Sequence, residues 1–436
     1  MSPAPGSGRI TAPQSARRIA LDVLDRVLGE LRPLEDTFNG HPGLALLAPR
    51  DRAFARLLVT TTLRRLGQID ALLGELLRET PKPVRVRNLL RLGAAQLLFQ
   101  GTPAHAAVGE SVALATGRHA YAKPLANAVL RRLAEEGAAR LAAQDAARLN
   151  TPDWLWQSWC AAEGEARTRA IAEAHLVEPP LDITVKAEPE IWAQRLGAER
   201  LFGNTLRRAA GGPIEDLPGY AEGAWWIQDV AAALPALLLL NLGHGEIVDL
   251  CAAPGGKTAQ LAAVGAKIVA VEVSERRTQR LRANLERLRL TAELVIADAL
   301  EWRPARPVPA ALLDAPCTAT GTIRRHPDIA WHKTAADVVR MAELQGRLLA
   351  NAGAMLQPGG ALVYASCSLQ PEEGLEVVGR ALARDLSLER LPVRPEEIQG
   401  LPVEITAEGD VRTLPCHLAG RGGMDGFFIA RLRRRG

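Results

Sequence analysis

The chain has 436 residues, 47% hydrophobic and 23% charged, with a formal net charge of +4. That length exceeds one ordinary domain and the apolar content supports packed cores, which excludes a mainly disordered protein. The longest apolar stretch, Ala231 to Leu240, is far short of the roughly 18 residues that span a bilayer, so no membrane segment is expected.

The N-terminus, MSPAPGSGRITAPQSARR, lacks an apolar signal core and reads as a disordered lead-in to a cytoplasmic protein. From about Ser15 to Arg140 the chain reads as helices. ARRIALDVLDRVL puts Ile19, Val23, Leu24 and Val27 at helical spacing, and DRAFARLLVTTTLRRLGQIDALLGELL is a further apolar stripe interleaved with Arg. VRVRNLLRLGAAQLLF follows Pro81 and Pro83, which suit a helix start. AHAAVGESVALA and KPLANAVLRRLAEE complete an all-α domain over 1–145. Residues 1–140 hold 20 Lys and Arg against 12 Asp and Glu, a local excess of positive charge that suggests a polyanionic partner.

Residues 146–235 read as a mixed α/β connecting region. Trp154, Trp156 and Trp159 cluster near its start, LDITVKA reads as a strand and AEPEIWAQRL as a helix. Residues 236–436 then alternate strand and helix. EIVDLCA, AKIVAVEVS, AELVIADA, PAALLDAP and GALVYASC are the strands, with KTAQLAAVG and ERRTQRLRANLERL as helices between. This alternation predicts an α/β domain with a parallel sheet, helices on both faces and ligands at the carboxyl ends of its strands.

Four segments carry chemistry. In DLCAAPGGKT, Asp249 to Thr258, a strand runs through Pro254, Gly255 and Gly256 into a helix, so the backbone admits a close ligand at a helix N-terminus. The spacing is neither the dinucleotide fingerprint nor a P-loop. Glu272 ends the next strand, where an acid accepts ribose hydroxyls, and Asp298 ends the third, within reach of an adenine amine. Acids ending successive strands beside a Gly-rich turn fit a bound nucleoside. In LLDAPCTATGTIRRHPD, Asp314 and Cys317 sit where a fourth strand ends, and in VYASCSLQPEE, Cys367 follows a fifth. Two cysteines at one edge of one sheet face one pocket. Cys160, Cys251 and Cys416 read as small packing residues.

These motifs, DLCAAPGGKT, DAPCTATGTIRRHPD and YASCSLQPEE, resemble those of the RNA cytosine-5 methyltransferase family, in particular the bacterial Fmu/Sun type that modifies small-subunit ribosomal RNA. PAHAAVGESVALA and NAVLRRL are similar to the helical RNA-binding domain related to the antitermination factor NusB, and GGMDGFFIARLRR resembles the family's last strand. The resemblance implies a Rossmann-like fold over 236–436 that uses S-adenosylmethionine. It implies that Cys251, Ala252, Ala253, Pro254, Gly255, Gly256 and Lys257 line the cofactor, with Glu272 at the ribose, Asp298 near the adenine and Asp314 between cofactor and target base. It makes Cys367 the nucleophile and Cys317 the residue that helps release product. RNA is the implied partner, with no metal and a monomeric protein. Glu272 and Ala365 stand where the family more often has Asp and Thr.

The implied chemistry has a physical rationale. Carbon 5 of cytosine becomes nucleophilic only after a thiolate adds to carbon 6, so covalent catalysis divides one hard step into easier ones. The thiolate calls for a lowered pKa, for which Lys257 is the candidate source of charge. The base must be unstacked, which favours single-stranded or loop RNA. The alternatives are a methyltransferase of the same fold acting on another RNA or a protein, and a non-enzymatic RNA-binding protein.

Overall fold

The computed structural model describes residues 15–436 apart from His244 and Gln399, so the N-terminal lead-in lies largely outside the described residues. The chain divides into two units, Met1–Thr151 and Pro152–Gly436.

The first unit is helical: α1 (Ala16–Glu30), α2 (Leu34–Asn39), α3 (Pro49–Arg64), α4 (Leu66–Leu76), α5 (Val84–Phe99), α6 (Ala104–Ala113), α7 (Lys123–Ala142) and α8 (Ala146–Leu149). Ser15 caps α1 by accepting from the Arg18 N–H, and Ile19, Val23, Leu24 and Val27 are buried as the periodicity requires. The long stripe after Pro49 is two helices, broken at Arg65. The break serves α8: a Cβ on Gly67 would lie 1.7 Å from the Leu149 carbonyl oxygen. Beside it, the Gln68 N–H donates to Asn150 Oδ1 at 3.1 Å.

The second unit opens with the hairpin α9 (Asp153–Glu163) and α10 (Glu165–His175). A small sheet follows, made of β1 (Leu181–Val185), β2 (Glu199–Phe202), β3 (Thr205–Arg208) and β4 (Trp225–Ile227), with α11 (Pro189–Leu196) between β1 and β2. Its order is β2-β3-β1-β4, all antiparallel. Only β1 and α11 were legible in the sequence. The other strands are three or four residues long, and one depends on the buried Asp182–Arg207 pair, 2.6 Å apart, which sequence patterning cannot show.

α12 (Val230–Leu240), apolar on all sides and buried, leads into the main sheet. Then come β5 (Glu246–Leu250), α13 (Gly256–Ala263), β6 (Lys267–Glu272), α14 (Glu275–Leu288), β7 (Glu293–Ile296), β8 (Val308–Asp314), α15 (Ile329–His332), α16 (Ala335–Met355), β9 (Leu356–Ser366), α17 (Leu375–Arg384), β10 (Leu388–Arg390), β11 (Glu404–Ile405), β12 (Val411–Thr413) and β13 (Phe427–Arg434). The order is β11-β12-β13-β9-β8-β5-β6-β7, with β10 on β13. β5 to β9 pair in parallel, but β13 lies antiparallel against β9 and β11 and β12 continue that sense. The sheet is therefore mixed, which corrects the expectation of a parallel one. The closing strand returns through an excursion that carries β10 to β12 rather than through a single crossover helix. No helix among the described residues is long and apolar enough to cross a membrane.

The strand order runs one way from β5 to β6 and the other way to β8. That reversal opens a crevice beyond the carboxyl ends of β5 and β8. Alternation then selects what faces it. Ile247, Ile268, Ala270, Ala310 and Leu312 pack in the core beneath α12 to α14, while Val248, Leu250, Val271, Ala311 and Leu313 pack on the opposite face. Asp249, Glu272 and Asp314 fall in phase with the first set, so three strand-end acids share one face.

Candidate active site

The turn after β5 is shaped by backbone limits. Cys251 has φ 61° and Gly255 has φ 103°. A Cβ on Gly255 would stand 2.3 Å from Leu281 Cδ1, so both conformation and packing demand glycine there. Gly256 differs: its nearest protein atom to a Cβ is Gln228 at 3.7 Å. The protein itself does not require a glycine at that position, which leaves the space for a ligand at the start of α13.

Asp249 is fully buried. Thr258 donates to its Oδ2 at 2.6 Å, while Oδ1 is buried without a hydrogen-bond partner. Burial is the main cause that raises its pKa to about 7; Thr258 opposes this and the Asp314 charge adds to it. Cys251 is pushed up to about 12, by burial first and then by the carboxylates of Asp314, Glu272 and Asp249.

Glu272 is only 1% exposed. Its carboxylate accepts from the N–H groups of Ala253 (3.3 Å) and Ser274 (3.1 Å) and from Arg277 Nη1 (3.2 Å). Arg277 also donates to the Ala253 carbonyl at 2.6 Å, closing a ring between β6, the turn and α14. The sequence reading overlooked Arg277; an Arg five residues after the strand-end acid, at the start of a helix, was the available signal. Asp298 is exposed, and its Oδ1 accepts from the Leu300 N–H at 2.9 Å. Near these acids Val273 (64%) and Ile296 (52%) leave apolar side chains exposed, a surface suited to a flat base.

Across the crevice, Lys257 Nζ lies 2.7 Å from Asp314 Oδ2 and 5.2 Å from the Phe427 ring centroid. The two cysteines meet: Cys317 Sγ is 3.3 Å from Cys367 Sγ, both half-buried. Their loops are knitted by backbone bonds, Ala315 N–H to the Ala365 carbonyl and Gly321 N–H to the Cys367 carbonyl, each 2.9 Å. Gly321 permits this, since a Cβ there would lie 2.0 Å from the Gly426 oxygen and 2.9 Å from that of Cys367. The Cys367 thiol is raised well above its ordinary range, first by its hydrogen bond with Cys317, then by burial and by the charges of Cys317 and Asp314. Lys257 acts in the expected direction but is outweighed by the Cys317 hydrogen bond and by burial.

The segment after Cys317 is anchored from beneath. Arg324, 1% exposed, donates to Asp229 Oδ2 at 2.8 Å and to the Gly422 carbonyl at 2.6 Å. On the other side, Gln370, three residues after Cys367, accepts from Trp159 Nε1 at 2.7 Å and donates to Ser158 at 2.9 Å. α9 therefore grips the Cys367 loop, a role that the sequence did not assign to its tryptophan cluster. Sequence reading also gave no role to Glu373 or Gln345, which lie behind the cysteines. Gln345 betrays itself only as a polar residue on the buried face of α16. Among the described residues no group of three or more His, Cys, Asp or Glu is placed to hold a metal.

Residues 236–433 match the family described as 16S rRNA methyltransferase RsmB/F, and residues 14–135 match the NusB family. Ribosomal RNA small subunit methyltransferase B of Pseudomonas syringae pv. tomato is 38% identical over 405 residues, covering 88% of this chain and 89% of that protein. The protein of the same name from Thermus thermophilus is 38% identical over 392 residues, again covering 88% and 89%. The crystal structure of PH0851 superposes with a TM-score of 0.76 at 22% identity, over 98% of this chain and all of that one, a likeness of fold.

Proposed function

The chain belongs to the 16S rRNA methyltransferase RsmB/F family, and on that premise we propose that it methylates carbon 5 of a cytosine in small-subunit ribosomal RNA through a covalent Cys367–cytosine intermediate. S-adenosylmethionine, the methyl donor, supplies an electrophilic methyl group on a sulfonium. The residues present fit it: a glycine at 256 that no protein contact requires, an orphaned buried oxygen on Asp249, and exposed apolar side chains beside Glu272 and Asp298. Cys251 to Lys257, Glu272, Asp298 and Asp314 would hold it.

The observation that carries the covalent reading is the 3.3 Å approach of two thiols beside the Asp314–Lys257 pair. As the base docks, Cys367 gives up its thiol proton to the Asp314 carboxylate, directly or through solvent. Attack of its sulfur on carbon 6 then makes carbon 5 enamine-like and ready for methylation. Lys257 steadies Asp314, which holds the N3/N4 edge of the base, accepting from the N4 amine and passing to N3 the proton taken from Cys367 as charge develops there. After transfer Cys317 acts as the base that takes the carbon 5 proton, the carbon 6–sulfur bond breaks with its electron pair staying on Cys367, and N3 gives its proton back to Asp314. The cationic excess of residues 1–140 supplies affinity for the RNA backbone. Mapping 5-methylcytosine across ribosomal RNA from cells with and without this protein tests the reading. One cytosine that loses its mark supports it; an unchanged map ends it.

A further inference from the structure

Behind the two cysteines lies a carboxylate that the reaction as described does not use. Glu373 is completely buried. Its Oε1 accepts from the Thr318 N–H at 2.8 Å and from Gln345 Nε2 at 3.1 Å. Its Oε2 accepts from Ser368 Oγ at 2.5 Å and from the Thr318 hydroxyl. Thr318 directly follows Cys317, and Ser368 directly follows Cys367. The two hydroxyls are themselves 3.2 Å apart. Gln345 Nε2 also donates to the carbonyl of Pro316 at 2.9 Å, on the other side of Cys317. The backbone of Glu373 is pinned in turn, its carbonyl accepting from Tyr364 OH at 2.7 Å.

We propose that Glu373 is a positioning residue that sets the spacing of the two thiols, so that the attacking and releasing cysteines address the same base. The inference rests on the covalent reading above. One carboxylate bonds the residue next to each cysteine, so neither loop shifts without breaking a charge-assisted bond. Burial pushes the Glu373 carboxyl up, and its hydrogen-bond donors oppose that. For stability alone an apolar residue of the same volume serves as well as a buried charge. A fully satisfied polar network instead specifies one geometry.

The test compares Glu373→Gln and Glu373→Ala with the wild type. Gln keeps the volume but turns two acceptor contacts toward an amide donor. Turnover should fall about tenfold in Glu373→Gln and about a hundredfold in Glu373→Ala, the scale expected when reacting groups move by about 1 Å. The KM for S-adenosylmethionine should not change, and the Gln variant should stay folded at the assay temperature with a modestly lower melting temperature, because buried donors lose their acceptor. A second readout needs no RNA: phenylarsine oxide bridges two adjacent thiols, forming two As–S bonds and releasing water, so its affinity reports their spacing. That affinity should fall in the same order, with Cys317→Ala as the single-thiol control. Wild-type turnover per folded molecule in Glu373→Gln, or undiminished arsenical binding in both variants, overturns the proposal. If the wild type itself forms no 5-methylcytosine, the covalent reading has failed, and the arsenical titration still decides whether Glu373 sets the spacing.

Discussion

The sulfurs of Cys317 and Cys367 lie 3.3 Å apart although 50 residues separate them in the chain. Placement does not rank them, but chemistry does, because the nucleophile is needed to begin and its partner only to finish. Cys367→Ala should abolish both methylation and any covalent RNA link. Cys317→Ala should still methylate and should accumulate a protein–RNA adduct that survives denaturation and requires both cofactor and target cytosine. A denaturing gel of each variant decides; an adduct in Cys367→Ala and none in Cys317→Ala reverses the assignment.

Glu272 joins the turn, β6 and the start of α14, and it is the proposed ribose ligand. Glu272→Ala should weaken S-adenosylmethionine binding by roughly ten- to a hundredfold, the range for hydrogen bonds to a charged group. Calorimetry is the check, and unchanged affinity removes Glu272 from the site.

Asp249 gives a pH signature. Its carboxyl is raised to about 7 in the folded protein, chiefly by burial, while an unfolded Asp titrates near 4. Between those values the folded state holds the proton that the unfolded state releases, so this group costs stability as pH rises, and the loss levels off above about 7. Asp249→Asn lacks the effect. The stability of wild type relative to this variant should therefore fall, on the order of a few kcal/mol, between about pH 4 and 7. Urea denaturation of the cofactor-free proteins across that range measures it; a flat difference excludes the shift.

In the helical unit, Arg118, Lys123 and Arg131 are exposed. If this unit supplies RNA affinity, replacing all three by Glu should weaken binding and flatten its salt dependence, by a slope of about 0.7 for each phosphate of single-stranded RNA that the variant no longer neutralises. Methyl transfer at saturating RNA should persist. Binding isotherms at several salt concentrations test this, and an unchanged slope places the RNA-binding surface elsewhere.

Gly321 stands where the two cysteine loops cross. Gly321→Ala forces a methyl against the Gly426 and Cys367 carbonyl oxygens. Overpacking of this kind typically costs about 1–3 kcal/mol. The expected result is a lower melting temperature together with reduced turnover, and a variant as stable and active as wild type contradicts the close approach.

Much of the molecule follows from local pattern. The helical spacing of Ile19, Val23 and Val27, the strand–turn–helix through Gly255 and Gly256, and the strand-end positions of Glu272, Asp314 and Cys367 were legible because each depends on neighbours within a few residues. The short strands of the small sheet were not, since β2, β3 and β4 are too short to show periodicity and form by pairing, with the buried Asp182–Arg207 ion pair joining β1 to β3. Nor was the reversed sense of β13, because an antiparallel and a parallel neighbour call for the same apolar alternation. The state of the Cys367 thiol was likewise beyond the sequence. Lys257 was visible as a nearby charge, but its pairing with Asp314, the burial of Cys367 and the approach of Cys317 arise only when β5, β8 and β9 lie side by side. The positions of the candidate residues are written in local motifs; how their charges balance depends on distances that only the assembled sheet creates.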